Sequence, residues 1–135
     1  CIYLRYNKYM PKFISIFCYL ISILFIFNGL MWLINPSEIA MSLGMQLLTG
    51  HGLSTQIGDL ASFFLVVGIF TFLGVYKKNN YWFYTPIALL AFAAISRVIA
   101  FLAHGASLSI DKILVELVLV VFLLFVVNRK EKNFS

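Results

Sequence analysis

Four stretches of roughly twenty apolar residues, running about from Phe13 to Ile34, Thr55 to Tyr76, Thr85 to Ala103 and Ser109 to Asn128, take up most of this chain. Each matches the roughly 20 helical residues needed to cross a hydrocarbon core of about 30 Å. A backbone in that medium must satisfy its own hydrogen bonds, which leaves helices and closed barrels, and runs this continuous lack the alternation of a barrel strand. The sequence therefore predicts an all-α fold: one domain spanning residues 1–135, built as a four-transmembrane-helix bundle. Composition agrees. Hydrophobic residues make up 62% of the 135 and charged ones 11%, against about a quarter charged in soluble domains, so little polar surface is left to face water.

Local signals refine the spans. The first run is too long for a signal-peptide core and no small-x-small cleavage site follows it, so it reads as a retained helix that Pro36 closes. Pro86 fits the first turn of the third helix with Thr85 as its cap, because a start near Asn80 would place the proline inside the helix. Gly105 is the expected stop. Met10-Pro11-Lys12 reads as a natural bacterial start, which would make residues 1–9 a truncation remnant or a mistranslated leader, and they are set aside from functional reasoning.

Lysine and arginine accumulate on the cytoplasmic side of membrane proteins. Arg5, Lys8 and Lys12 precede the first span, Lys77 and Lys78 join the second to the third, and Arg129, Lys130 and Lys132 follow the fourth. The long connection from Asn35 to Ser54 has no basic residue. The expected location is the bacterial inner membrane, with both termini cytoplasmic. Trp32 suits an outer aromatic belt, and Tyr76, Tyr81, Trp82 and Tyr84 an inner one.

In the long outer connection, the segment from Pro36 to Gly44 opens like a helix, with Glu38 in its first turn, and ends on glycine. One reading is a short amphipathic helix on the membrane surface with Ile39, Met41, Leu43 and Met45 toward lipid or protein; the other is a lid over the outer mouth of the bundle. Thr49-Gly50-His51-Gly52 reads as a flexible turn with a solvated histidine.

Charges inside the spans need another explanation, since each costs about 2.5 to 3.5 kcal/mol at a membrane helix centre. At 1.5 Å per residue, Asp59 lies about 6 Å below the outer start of its span, Arg97 about 9 Å below the outer end of its own, and Glu116 about 10 Å below Ser109. All three share one level. Arg97 presents a face of small residues including Ala93, Ala94 and Ala100, with His104 two turns outward, and Lys112 stands one turn outward of Glu116. Asp59, Arg97, His104, Lys112 and Glu116 are therefore the candidate cluster. It serves either as interhelical glue or as a site that binds a polar or anionic group or passes a proton.

Several function classes lack their parts. Net charge is +5, but there is no basic helix or stacking motif for nucleic acid. The two cysteines, Cys1 and Cys18, offer no disulfide framework and no metal or redox pair, so no cofactor is expected. HExxH, GxSxG and phosphate-loop patterns are missing, which argues against an enzyme. A small transporter or proton-coupled carrier is the alternative to a binding or accessory module, although the cytoplasmic half is nearly pure Ile, Leu, Phe and Val. The expected partners are the lipid bilayer and a membrane subunit or a second copy of the chain.

The run Asp59-Leu60-Ala61-Ser62-Phe63-Phe64 with Gly68, then Arg97 followed by His104-Gly105, then Glu116, resembles the small bacterial four-helix membrane proteins grouped as domain of unknown function 4345. The resemblance covers most of the chain from about Gly29 onward. Asp59 stands where the family pattern carries a glutamate, and His104 where an aspartate is frequent before the glycine. What the resemblance implies is fold and location, with no activity attached.

Overall fold

A computed structural model describes residues 10–129 and consists of five helices, with residues 1–9 and 130–135 outside the described part. The long helices are α1 (Lys12–Ile34), α3 (Gly50–Tyr76), α4 (Tyr81–His104) and α5 (Ile110–Asn128), and the short α2 (Pro36–Ser42) follows α1 directly. Three of them, α1, α3 and α4, are long and apolar enough to cross a membrane. The fourth, α5, has 19 residues and carries Asp111, Lys112 and Glu116 in its first two turns. Large apolar side chains crowd the exterior, among them Phe13, Ile34, Phe92, Leu102 and Val121, each more than half exposed. An apolar periphery around helices that satisfy their own backbones is consistent with a membrane protein.

Close backbone contact joins α1 to α3, α3 to α4 and α4 to α5, with α2 resting on α1. Small residues set the first of these contacts. A Cβ placed on Gly68 would lie 2.8 Å from the Ile26 nitrogen and 2.9 Å from the Ser22 carbonyl, so only hydrogen fits between the two backbones. The neighbouring buried hydroxyls bond within their own helices, Ser22 Oγ to the Cys18 carbonyl at 2.8 Å and Thr71 Oγ1 to the Val67 carbonyl at 2.7 Å. Neither hydroxyl is left unsatisfied at that crossing. Between α3 and α4 the ring of Phe83, fully buried, lies against Gly74.

One end of the bundle is densely packed by Ile14, Cys18, Phe83, Leu123 and Val126. There the α3–α4 turn passes through Lys78 at φ 52, and the buried Asn80 donates from Nδ2 to the Val127 carbonyl at 3.2 Å, tying that turn to the end of α5. At the other end, called here the α2 end, Asn35 closes α1 and opens α2 with its side chain on Glu38 at 2.8 Å. Pro36 takes the first position, where the missing N–H costs nothing. Ile39 and Ala40 are buried with Trp32 and Ala61, while Met41 is exposed. The indole Nε1 of Trp32 is buried without a hydrogen-bond partner among the described residues.

Two helix starts differ from the sequence reading. The second long helix begins at Gly50 instead of Thr55, so Gly50-His51-Gly52 is the first turn of α3 and not a free loop. The segment before it is held against the lengthened helix: Gln56, buried on the second turn of α3, accepts from the Leu48 amide at 2.9 Å and donates to the Gln46 carbonyl at 3.1 Å. The third long helix begins at Tyr81 instead of Thr85, which puts Pro86 in its interior, fully buried. Asn79 Oδ1 accepts from the Tyr81 amide at 3.0 Å and starts the helix early. The proline leaves the Trp82 carbonyl without its helical donor and costs about 3 kcal/mol in a helix interior, which the burial of Phe83 on the added turn, about 2 to 3 kcal/mol, offsets together with the hydrogen bonds of Asn79 and Asn80. Gly105 ends α4 in the left-handed conformation, φ 68, and the amides of both Gly105 and Ala106 reach the Ala100 carbonyl.

Candidate functional site

The α2 end of the bundle contains a cavity of about 1020 Å³. Phe25 of α1, Phe63 and Phe64 of α3, and Leu90 of α4 give it apolar walls, and the chain just after α2, Leu43-Gly44-Met45, lies along it. Asp59, Ser96, Arg97, Ser109, Asp111, Lys112 and Glu116 supply its polar side chains. Four of the five residues singled out in the sequence therefore share one cavity.

Arg97 and Glu116 are in direct contact. The Arg97 Nε donates to both carboxylate oxygens of Glu116, at 3.0 and 3.2 Å. The pair is lopsided: the Glu116 side chain is 9% exposed and that of Arg97 37%. Among the described residues, the two terminal nitrogens of Arg97 bond to nothing. A guanidinium normally engages a carboxylate through a two-nitrogen fork; here a single nitrogen serves both oxygens, and the remaining donors stay available.

Lys112, one turn outward of Glu116, donates from Nζ to the Leu43 carbonyl at 2.6 Å and so ties the start of α5 to the chain leaving α2. Gly44, at φ 71, makes the turn that brings this carbonyl round. Asp59 lines the cavity, exposed, and forms no ion pair among the described residues. His104 stands apart. It lies on the Arg97 stripe but two turns, about 10 Å, further along α4, exposed in the last turn and outside the cavity lining.

Sequence reasoning passed over three residues that matter here. Asp111 and Ser96 line the cavity; Asp111 neighbours Lys112 and Ser96 neighbours Arg97, so adjacency to a singled-out charge was the available signal. Gln56 organises residues 46–48 through contacts that no local pattern announces. Among the described residues no group of three His, Cys, Asp or Glu side chains could hold a metal ion. The lining offers donors and acceptors side by side above an apolar floor, an arrangement suited to holding a molecule with a polar part and a greasy part.

Comparison of the chain with models of protein families, with curated proteins and with solved structures gives no match in any of the three.

Proposed function

We propose that this chain is a four-span protein of the bacterial inner membrane with both termini in the cytoplasm, and that it works as a binding or accessory module through the cavity at its outer end. The basic residues support the orientation, since Lys12, Lys77, Lys78 and Arg129 all fall at the end away from α2. The charges of α5 do not bar it from serving as the fourth span. Glu116 is buried on Arg97 and Lys112 is held at the rim, so the rest of the helix offers Leu114, Leu117, Val118 and Val121 to lipid. The resemblance to the domain of unknown function 4345 proteins agrees with this arrangement.

The observation that carries the binding role is that Arg97, whose terminal nitrogens have no partner among the described residues, lines a large cavity. A purely structural pair would bury both partners and use the whole fork, because each donor left idle in a membrane interior keeps its desolvation cost. The cavity is lined from the α2 end only, and the opposite end is closed by the packing of Cys18, Phe83, Leu123 and Val126. That asymmetry favours a receptor pocket over a carrier's through-path.

The test is growth of a deletion strain carrying the combined variant Asp59→Leu, Arg97→Met, Glu116→Leu, with the melting temperature in detergent measured alongside. Replacing a charged set by apolar residues of similar size commonly spares the fold. The expected result is a folded protein that no longer complements. A folded variant that complements in full reduces the cluster to scaffolding.

A further inference from the structure

Resting on the binding-module reading above, we infer that the cavity takes a zwitterionic glycerophospholipid with a primary ammonium in its headgroup, entering sideways from the bilayer. The lining charges choose among ligand classes. Arg97 and Lys112 are positive and Asp59, Asp111 and Glu116 negative, a balance of one negative charge. Glu116 is already taken by Arg97 Nε, while the terminal guanidinium nitrogens of Arg97 and the carboxylates of Asp59 and Asp111, without ion-pair partners among the described residues, belong to the lining of the same cavity. A purely anionic ligand would add charge beside those carboxylates, and a purely cationic one would face Arg97 and Lys112. An uncharged molecule would desolvate all of them and pair with none. A phosphate directed at Arg97 with an ammonium directed at Asp59 and Asp111 satisfies both signs through charge-assisted hydrogen bonds.

The aromatic rings narrow the headgroup further. Phe63 and Phe64 lie one helical turn beyond Asp59, toward the packed end, so the rings of α3 line the cavity at a deeper level than that carboxylate. A quaternary ammonium favours an aromatic cage, whereas a primary ammonium favours carboxylate acceptors. Phe25, Phe63, Phe64 and Leu90 then receive the upper part of an acyl chain.

The entry route follows from the seams. Close backbone contact joins α1 to α3, α3 to α4 and α4 to α5, and among the described residues α1 and α5 are not joined in that way. They meet through side chains near the packed end, where Phe17 and Phe122 stand edge to face with centroids 4.9 Å apart. Further toward α2 the cavity wall crosses this same seam, from Phe25 to Val115, and Val115 is 57% exposed. An opening on the side of a bundle that sits in a membrane gives onto lipid, so a lipid can enter through it without leaving the bilayer.

The experiment is native mass spectrometry of the delipidated full chain, offered phosphatidylethanolamine, phosphatidylglycerol, phosphatidylcholine or inorganic phosphate at equal concentration. A one-to-one phosphatidylethanolamine adduct is expected, at least about tenfold more occupied than either other lipid, as one charge-assisted hydrogen bond accounts for. The double variant Asp59→Asn, Asp111→Asn, at two exposed positions, should lower that occupancy about tenfold and raise that of phosphatidylglycerol, whose headgroup no longer meets the two carboxylates. Val115→Trp, which fills the seam, should lower all three lipids together. Equal or tighter binding of phosphatidylglycerol or phosphatidylcholine overturns the assignment. So does displacement of the lipid by phosphate alone, or a double variant that binds as the native chain does. If no lipid adduct forms yet the triple variant fails to complement, the lipid assignment falls and the binding role stands; a fully complementing triple variant removes both.

Discussion

Arg97 meets Glu116 across the α4–α5 interface through Nε alone, and of the two side chains it is the carboxylate that is buried, at 9% exposure against 37%. The two partners therefore differ in what each can do once left alone. Without Glu116, the arginine can turn its long side chain toward the rim and recover solvent. Without Arg97, Glu116 keeps its place in the interior with no counter-charge. Arg97→Ala is expected to destabilise by about 2–3 kcal/mol, near the lower end for breaking a buried pair, and Glu116→Leu by only about 1 kcal/mol. Melting temperatures in one detergent decide it, and the reverse order would show that the exposures do not set the cost.

Membrane orientation is open to a direct check. Reporters fused after Ser135 and inserted at Lys78 should both read cytoplasmic, and one inserted at Gly50 should read external. If Gly50 and Lys78 report the same side, α3 does not span, and the four-span arrangement fails with it.

Lys112 is held by a backbone carbonyl, not by a carboxylate, and the bond it makes to Leu43 is the tie between α5 and the chain leaving α2. Lys112→Met should leave the melting temperature nearly unchanged, a loss of about 1 kcal/mol or less for one partly exposed bond. Amide exchange at Gly44 and Met45 should rise several-fold while that of α3 stays constant. Uniform exchange across the α2 end in both proteins would mean that the segment is anchored by other contacts.

At the opposite end the buried Asn80 can donate to Val127 only through its amide nitrogen. Asn80→Ala should cost about 1–2 kcal/mol by stranding that carbonyl. Asn80→Asp should cost more, because a carboxylate oxygen then faces a carbonyl oxygen in a buried site. Chemical denaturation of the three proteins ranks them, and an Asp variant as stable as the Ala variant would indicate that water reaches this turn.

The existence of the long helices was legible because an apolar run of twenty residues leaves the backbone few other options. Their starts were less so. Gly50-His51-Gly52 looks like a loop by composition, yet it forms the first turn of α3, after a segment that Gln56 holds through Gln46 and Leu48. Pro86 argues locally for a late start, and the burial of Phe83 against Gly74, a contact between two helices, helps to offset it. Depth arithmetic on a fixed rise per residue was enough to put Asp59, Arg97 and Glu116 at one level, where they share a cavity. It could not say which carboxylate the arginine takes, because that depends on which helix backbones come close, and α4 touches both α3 and α5. His104 shows the complementary failure. Its phase matches that of Arg97, but phase alone does not say where a cavity ends.

The contact at Gly68 places a particular constraint on how this protein can vary. With the Ile26 nitrogen and the Ser22 carbonyl within 3 Å of any added Cβ, even alanine requires the two helices to move apart, and the backbone has no rotamer with which to yield. Ile16, Ile23 and Phe27, on the outward side of α1, are about half exposed or more and meet no such limit. Among descendants of this chain, substitutions should therefore accumulate along the lipid-facing stripe of α1 while position 68 stays glycine. In a collection of such sequences that one invariant column would mark the α1–α3 crossing without any coordinates.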